Sequence, residues 1–269
     1  MKIKPISTSD WSIVVPYYNE EVYLLQCLSC IVRQTSAPRT VILVNNGSTD
    51  RSPDIVYYFK KIYKDYLDII LVDEEIPGKI YAMRAGIKHV NTKRFAIWDA
   101  DAFYPSNYLE TADKFYQKNV VAVMAADVRH DMLTMSDRIR MVKLFILSRI
   151  FTSECHAGGY AETFDTEAYH KVGGFDPDLW PYVLEDHEIV QRLLGEGEVV
   201  YPPGLWCCPS PRRHDRSRVT WTSLEKRLYR FLPYKLKDWY FYSFLGPRFK
   251  ERGLLNTRLR EQAWQWKKR

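Results

Sequence analysis

Two acidic pairs in the sequence have the residue types and spacing to do chemistry. Asp99-Ala100-Asp101 directly follows the apolar run Phe95–Trp98, and Glu185-Asp186 opens a helical pattern far downstream. Two carboxylates at a strand end can hold a hard divalent cation while a diphosphate fills its remaining positions. A plain solvated turn is the alternative, but the strand end and the aromatic-Pro turn Phe103-Tyr104-Pro105 favour the metal. A carboxylate at a helix head can take the proton that an attacking hydroxyl must lose. Acids there also complement the helix dipole, and Glu188 fits that simpler description.

The elements that must carry these groups alternate. Trp11–Pro16, Thr40–Val44, Asp68–Val72 and Phe95–Trp98 are short β-branched or apolar runs that predict buried strands, with Val120–Ala125 a further one. Between them lie helical patterns: one opening at Tyr17–Glu21 with Asn19 as its cap, one through Lys64 capped by Thr49 or Ser52, and one over about Ile80–Val90. Later helices are predicted over Ser136–Phe151, over Thr166–Val172 before Gly173-Gly174, and over Leu184–Leu194. This alternation predicts an α/β chain with a mostly parallel sheet and helices on both faces. In such sheets ligands sit beyond the carboxyl ends of the strands. The segments there are Tyr17–Glu20, Asn45–Asp50, Gly78–Lys79 and Asp99–Asp101, so polar groups from distant parts of the chain converge on one edge.

In order, Val14-Val15-Pro16-Tyr17-Tyr18-Asn19-Glu20, Val44-Asn45-Asn46-Gly47-Ser48-Thr49-Asp50, Gly78-Lys79-x-x-Ala82, Asp99-Ala100-Asp101, Gly173-Gly174-Phe175-Asp176 and Glu185-Asp186 resemble the family 2 glycosyltransferases of the GT-A (Rossmann-like) fold. The resemblance runs from about Trp11 to His214. It implies inverting transfer of a sugar from a nucleotide-sugar donor to a hydroxyl of a glycan or lipid-linked glycan, as in bacterial cell-surface polysaccharide or lipopolysaccharide synthesis. It implies that Pro16, Tyr17 and Glu20 line the base and ribose, that Asn45 and Asn46 read the base edge, and that Lys79 lies near the base or diphosphate. Asp99, Ala100 and Asp101 would meet the donor, with Asp101, Asp99 and a late His214 on Mn2+ or Mg2+. Asp186 would be the catalytic base, Glu185 would orient acceptor or donor sugar, and Gly159 and Tyr160, near His156, would border the acceptor. Arg212, Arg213, Arg216 and Arg218 could neutralise the departing diphosphate.

One departure concerns the nucleotide. The family usually has an acidic pair where this chain has Asn45-Asn46; an amide both donates and accepts, whereas a carboxylate only accepts. A UDP-linked donor is favoured, with GDP, dTDP and CMP carriers left open. Asn-Gly also favours a tight turn on its own account. A nucleotidyltransferase is the nearest enzymatic alternative, but Pro16–Glu20 is not the Gly-rich loop it would need. A catalytically inactive, membrane-associated scaffold is the other, and intact Asp99, Asp101 and Asp186 speak against it.

Composition supplies the setting. The net charge is +6, yet residues 216–269 hold 15 Lys/Arg against 4 Asp/Glu and 12 of the 39 aromatic residues. An acidic body, residues 1–215, therefore precedes a basic, aromatic helical extension, residues 216–269. Rings interleaved with cations, as in Trp239-Tyr240-Phe241-Tyr242 and Trp264-Gln265-Trp266-Lys267-Lys268-Arg269, suit an anionic membrane surface. Packing of the same rings on the catalytic part is the competing use, and nucleic acid is disfavoured because no recognition motif accompanies them. Cys27 and Cys30 fall in a helical pattern with no partner pair for zinc, so the five cysteines read as buried small hydrophobes in a reducing compartment. Met1–Pro5 leads into a polar stretch without an apolar signal region, and no apolar run approaches spanning length. The expected place is cytoplasmic and peripheral, at the inner face of the cell membrane.

Overall fold

The computed structural model describes residues 9–129, 133–160, 162–210 and 221–261. Its centre is a seven-stranded sheet of order β3-β2-β1-β4-β8-β6-β9. The strands are β1 (Trp11–Tyr17), β2 (Thr40–Asn45), β3 (Asp68–Asp73), β4 (Arg94–Ile97), β6 (Val120–Met124), β8 (Glu162–Asp165) and β9 (Glu198–Val200). β1 and β2 are buried along almost their whole length, as their uninterrupted apolar runs require. β1 to β4 are mutually parallel, and β8 runs antiparallel between β4 and β6. A strand of opposite direction enters the sheet where its neighbours leave it. The residues just before β8 therefore arrive at the same edge as those just after β4.

Helices α1 (Leu24–Val32), α2 (Ser52–Tyr63), α3 (Lys79–Ile87) and α4 (Tyr108–Asp113) follow the first strands, and α5 (Met135–Ile150), α6 (Thr166–Lys171) and α7 (Glu185–Leu193) come later. α5 begins with a complete capping box between Thr134 and Asp137, and α6 is capped by Asp165 and followed by Gly173 and Gly174 at positive φ. Two expected caps are absent. α1 starts at Leu24, and Asn19, at φ +52°, instead accepts the Thr49 and Asp50 backbone N–H groups on its Oδ1 at 2.8 and 3.3 Å. α2 starts at Ser52 itself, whose Oγ accepts the Glu20 N–H at 2.8 Å. Both polar residues staple the β1 loop to the β2 loop.

A small sheet, β5 (Ala102–Phe103), β10 (Trp206–Pro209) and β7 (Ala126–Asp127), grips the chain immediately after Asp101. After α8 (Ser223–Phe231) the chain turns through a π-helical segment, Trp239–Leu245, into α9 (Gly246–Glu251). These elements form a second apolar core: Trp180 and Val183 pack with Tyr229, Tyr240, Phe241, Leu245, Phe249 and Leu254. Most described rings of the basic segment are thus committed to packing on the body. The five thiols are free, four of them buried, in line with their reading as small hydrophobes. Among the described residues no helix is long and apolar enough to cross a membrane.

α3 lies close on the sheet because Gly86 has no side chain. A Cβ there would stand 2.6 Å from Val14 Cγ1 and 2.7 Å from Val44 Cγ2. Gly→Ala inside a helix ordinarily stabilises by about 0.5–1 kcal/mol. Here the sign should reverse: Gly86→Ala is expected to cost about 1–3 kcal/mol through overpacking. Denaturant unfolding checks this, and an unchanged or raised midpoint would contradict the close approach.

Candidate active site

Three strand ends form the first part of the site. Tyr17, Asn45 and Asp73 are register partners in one row across β1, β2 and β3. Asn45 Nδ2 donates to Asp73 Oδ1 at 2.9 Å, and Asn45 Oδ1 accepts the Ser48 N–H at 2.9 Å. Burial, then the negative charges of Asp73 and Asp50, push the Tyr17 phenol above its usual range. Asn46 is turned away from this row. Its amide donates to the Glu74 and Ile76 carbonyls, both at 2.8 Å, and accepts the Gly78 N–H at 3.0 Å, shaping the loop before α3.

That loop delivers Lys79. Its Nζ lies 2.8 Å from Asp99 Oδ1 and donates to the Gly159 carbonyl at 2.9 Å, joining three separate strand ends. The Asp99 N–H donates to Tyr104 Oη at 2.8 Å, and that hydroxyl donates to the Tyr160 carbonyl at 2.7 Å. Tyr104 is itself fixed by stacking on Trp98, centroids 3.9 Å apart. The buried Asp101 accepts from Ser210 Oγ at 3.0 Å on its Oδ2. Ala100 is buried between the two acids, and Glu20 is buried on the same edge.

α7 supplies the opposing wall. Leu184 takes a left-handed conformation, φ +63°, that turns the chain sharply into Glu185 and Asp186. Asp186 Oδ1 accepts both the His187 N–H and its ring Nδ1–H at 2.8 Å, while Oδ2 lies on the Gly159 side. A Cβ at Gly159 would come within 3.3 Å of Lys79 Nζ and 3.8 Å of Asp186 Oδ2, so the missing side chain keeps the space between them open. Burial would raise the Asp186 carboxyl, but the His187 charge and hydrogen bonds outweigh it and hold it below the usual range. Glu185 is raised, by burial first and then by Asp186. Glu188, expected as simple dipole charge, is instead buried in an ion pair with Arg192 and accepts from Tyr242 Oη at 2.6 Å.

Two contributors escaped the sequence reading. His187 orients Asp186 and is itself held against Trp221, ring centroids 5.0 Å apart. Glu162, first residue of β8, is fully buried, and neither carboxyl oxygen has a hydrogen-bond partner. Burial, then the charges of Asp186, Glu185 and Asp99, push it well above the carboxylate range even though Lys79 opposes them. Glu162 stands opposite Ile97 and Met124 in the sheet, but its strand Glu162-Thr163-Phe164-Asp165 is no apolar run, so nothing local in the sequence marked it.

For a divalent cation the donor set fits in part. Asp99 and Asp101 are hard oxygen donors beside each other, and the ammonium on Asp99 marks a place that favours positive charge. No group of three or more ligating side chains exists among the described residues, so a diphosphate and water would have to complete the shell. His214 and Arg212, Arg213, Arg216 and Arg218 lie outside the described residues. The candidate donor, acceptor and base residues from Pro16 to Asp186 stand on this one edge, with Asn46 facing its own loop.

Residues 12–169 match the profile of Glycosyl transferase family 2. The chain belongs to this family. Poly-beta-1,6-N-acetyl-D-glucosamine synthase of Staphylococcus epidermidis is 26% identical over 207 residues, 73% of this chain and 48% of the synthase. Matched stretches cover from 12% to 48% of the curated relatives' own lengths. The mannosyltransferase PcManGT of Pyrobaculum calidifontis, solved with GDP-Man and Mn2+, superposes with a TM-score of 0.67 at 23% identity, over 90% of this chain and 70% of that one. S. aureus TarS 1-349 with UDP-GlcNAc gives 0.56 at 19%, over 89% and 72%. At these identities the likeness establishes the GT-A fold for this family 2 chain.

Glu162 makes a pH-dependent contribution to stability. Unfolded, it ionises above about pH 4.3; folded, it holds its proton well above that. Its favourable contribution is therefore present below about pH 4.3 and is lost as pH rises toward the folded value. Glu162→Gln removes this dependence, so its Tm relative to wild type should climb between pH 5 and 8, with about 2–4 °C for each 1 kcal/mol. A gap that stays flat would mean the carboxyl is ionised in the folded protein.

Proposed function

We propose that this chain transfers a sugar from a nucleotide-sugar donor to a hydroxyl of a glycan or lipid-linked glycan, inverting the anomeric carbon. The observation that carries the reading is that Asp186 and the Lys79–Asp99 pair meet at Gly159, where a Cβ would lie 3.8 Å from Asp186 Oδ2 and 3.3 Å from Lys79 Nζ. Asp186 Oδ1 is occupied by His187, so Oδ2 accepts the proton of the acceptor hydroxyl as it attacks. The depressed Asp186 carboxyl is ionised at neutral pH, as a base must be, and Glu185 beside it orients a sugar hydroxyl. Asp101 and Asp99 would hold Mn2+ or Mg2+, which supplies charge stabilisation for the departing diphosphate. Lys79 adds a second positive charge at the same place. Gly159 and Tyr160 border the acceptor.

At the nucleotide end, Pro16, Tyr17 and Glu20 line the base and ribose. We assign base recognition to Asp73 with Asn45. Asn45 holds one Asp73 oxygen, and the exposed carboxylate supplies the acceptor-only group that Asn45-Asn46 lacks. This suits a base edge with an N–H, and a UDP-linked donor is favoured. The acceptor is placed at the inner face of the cell membrane, in cell-surface polysaccharide or lipopolysaccharide synthesis, with the extension after residue 215 as the membrane-proximal part.

Asp186→Asn should lower kcat by about 10²–10⁴-fold and leave donor affinity by calorimetry within about twofold. Retained turnover would move the base elsewhere, and release of pyrophosphate instead of nucleoside diphosphate would replace the reading with nucleotidyl transfer. Asp73→Ala should raise the donor KM by roughly tenfold or more, the loss of a hydrogen bond to a charged group, with kcat nearly kept. A fall in kcat alone would remove Asp73 from the nucleotide end.

A further inference from the structure

α5 turns an apolar stripe to solvent. Met135, Ile139, Val142, Ile146 and Ile150 are 50–73% exposed, and at 3.6 residues per turn they fall within about 80° of the helix circumference. Apolar residues at that spacing normally face a core. Here the helix rests on the body by its other side, through Met141 and Leu144 against Trp206, Ala126 and Val128, and through the Arg140–Asp127 ion pair. At its end the stripe continues onto α8: Phe151 meets Phe231 at 6.4 Å, and Leu224, Leu228 and Phe231 line a shallow groove with Arg227. Leu224 and Phe231 are also well exposed.

The border of this face is cationic. Arg138, Lys143 and Arg149 flank the stripe on α5, and Lys226 and Arg227 stand exposed on α8, where Arg230 is paired with the buried Glu154. Each helix has a single acid, and both acids are buried: Asp137 in its capping box, Glu225 in its own and on Arg252. We infer that α5 and α8 form one membrane-docking face, which lays Ile139, Val142, Ile146 and Phe231 among the acyl chains of an anionic bilayer and their cations among its headgroups. Charge decides against a second copy as occupant. Apposed stripes would bring Arg138, Lys143 and Arg149 against the same cations, with no exposed carboxylate on either helix to pair them.

The face adjoins the site. Residues 151–159 run from the end of α5 to Gly159, and the Cys155 N–H on that segment donates to Tyr229 Oη of α8 at 2.7 Å. A lipid-linked acceptor could thus stay anchored while its sugar reaches Asp186. That consequence rests on the proposed transfer, whereas the docking does not.

Cosedimentation of the full chain with phosphatidylcholine vesicles, with and without phosphatidylglycerol, tests the docking without turnover. Wild type should pellet with the anionic vesicles and at least tenfold less with neutral ones. Ile139→Glu/Ile146→Glu should lower the bound fraction at least tenfold, with Tm and nucleotide binding unchanged because both positions are exposed. Arg138→Ser/Lys143→Ser/Arg149→Ser, which leaves the apolar stripe intact, should lower it severalfold and make binding insensitive to salt. Undiminished pelleting of both variants would assign binding to another part of the chain and overturn the proposal. So would failure of wild type to pellet, or a dimer in light scattering that the Ile139→Glu/Ile146→Glu variant dissolves.

Discussion

Four carboxyl groups, on Asp99, Glu162, Glu185 and Asp186, crowd around the ammonium of Lys79, and the edge of the sheet depends on how that charge is balanced. Like charges at this range in a partly desolvated site cannot all persist. Lys79 meets Asp99 directly at 2.8 Å. His187 supplies the donors that keep Asp186 ionised, while burial drives Glu162 and Glu185 toward the neutral form. Neighbouring acids are thus pushed in opposite directions, Asp186 down and Glu162 and Glu185 up. Such separation of neighbouring carboxyls by environment is how one site holds acid and base forms together at the same pH.

The fold makes the balance achievable by bringing strand ends of both directions to one place. Parallel β1 to β4 deliver Tyr17, Asn45, Asp73 and Asp99 outward, and antiparallel β8 starts where β4 stops, so Gly159 and Glu162 arrive facing them. Tyr104 then ties the two directions together through the Asp99 N–H and the Tyr160 carbonyl. The small sheet does the same for Asp101, because β10 pairs with β5 and ends beside Ser210. Asp99 and Asp101 are thus held by different tertiary pairings, and the cluster exists only in the assembled sheet.

This explains what was legible in the sequence. Strands such as Trp11–Tyr17 announce themselves because burial on both faces needs a local run of apolar residues. The polar residues after them mark the edge for the same local reason. Asn19 and Ser52 read as helix caps because capping residues and loop staples share one chemistry; which partner is in reach depends on residues about thirty positions away. Asn46 reads as a base-edge or turn residue for the same reason, whereas its partners at Glu74, Ile76 and Gly78 lie about thirty positions away. Glu162 had no local signature, since its significance comes from four groups on three other elements. The rings of residues 221–249 could face lipid or protein with equal periodicity, and Trp180 decides the matter for Phe241 and Phe249.

The same packing ties the basic segment to both walls of the candidate site. Glu188 on α7 is held by Arg192 and by Tyr242 of the π-helical turn, and Trp221 packs on His187, the residue that orients Asp186. The Ile80 N–H, next to Lys79, donates to Asn256 Oδ1 at 3.2 Å. Both walls of the site therefore lean on residues beyond 220. Removing that segment would uncover Trp180 and Val183 and leave Glu188 without its tyrosine donor, a loss that falls on folding and on α7 together. The proposed docking and the proposed transfer are therefore to be separated by substitutions on the outward face of α5 and α8, since the inward face of α8 packs, through Tyr229, on His187 beside Asp186.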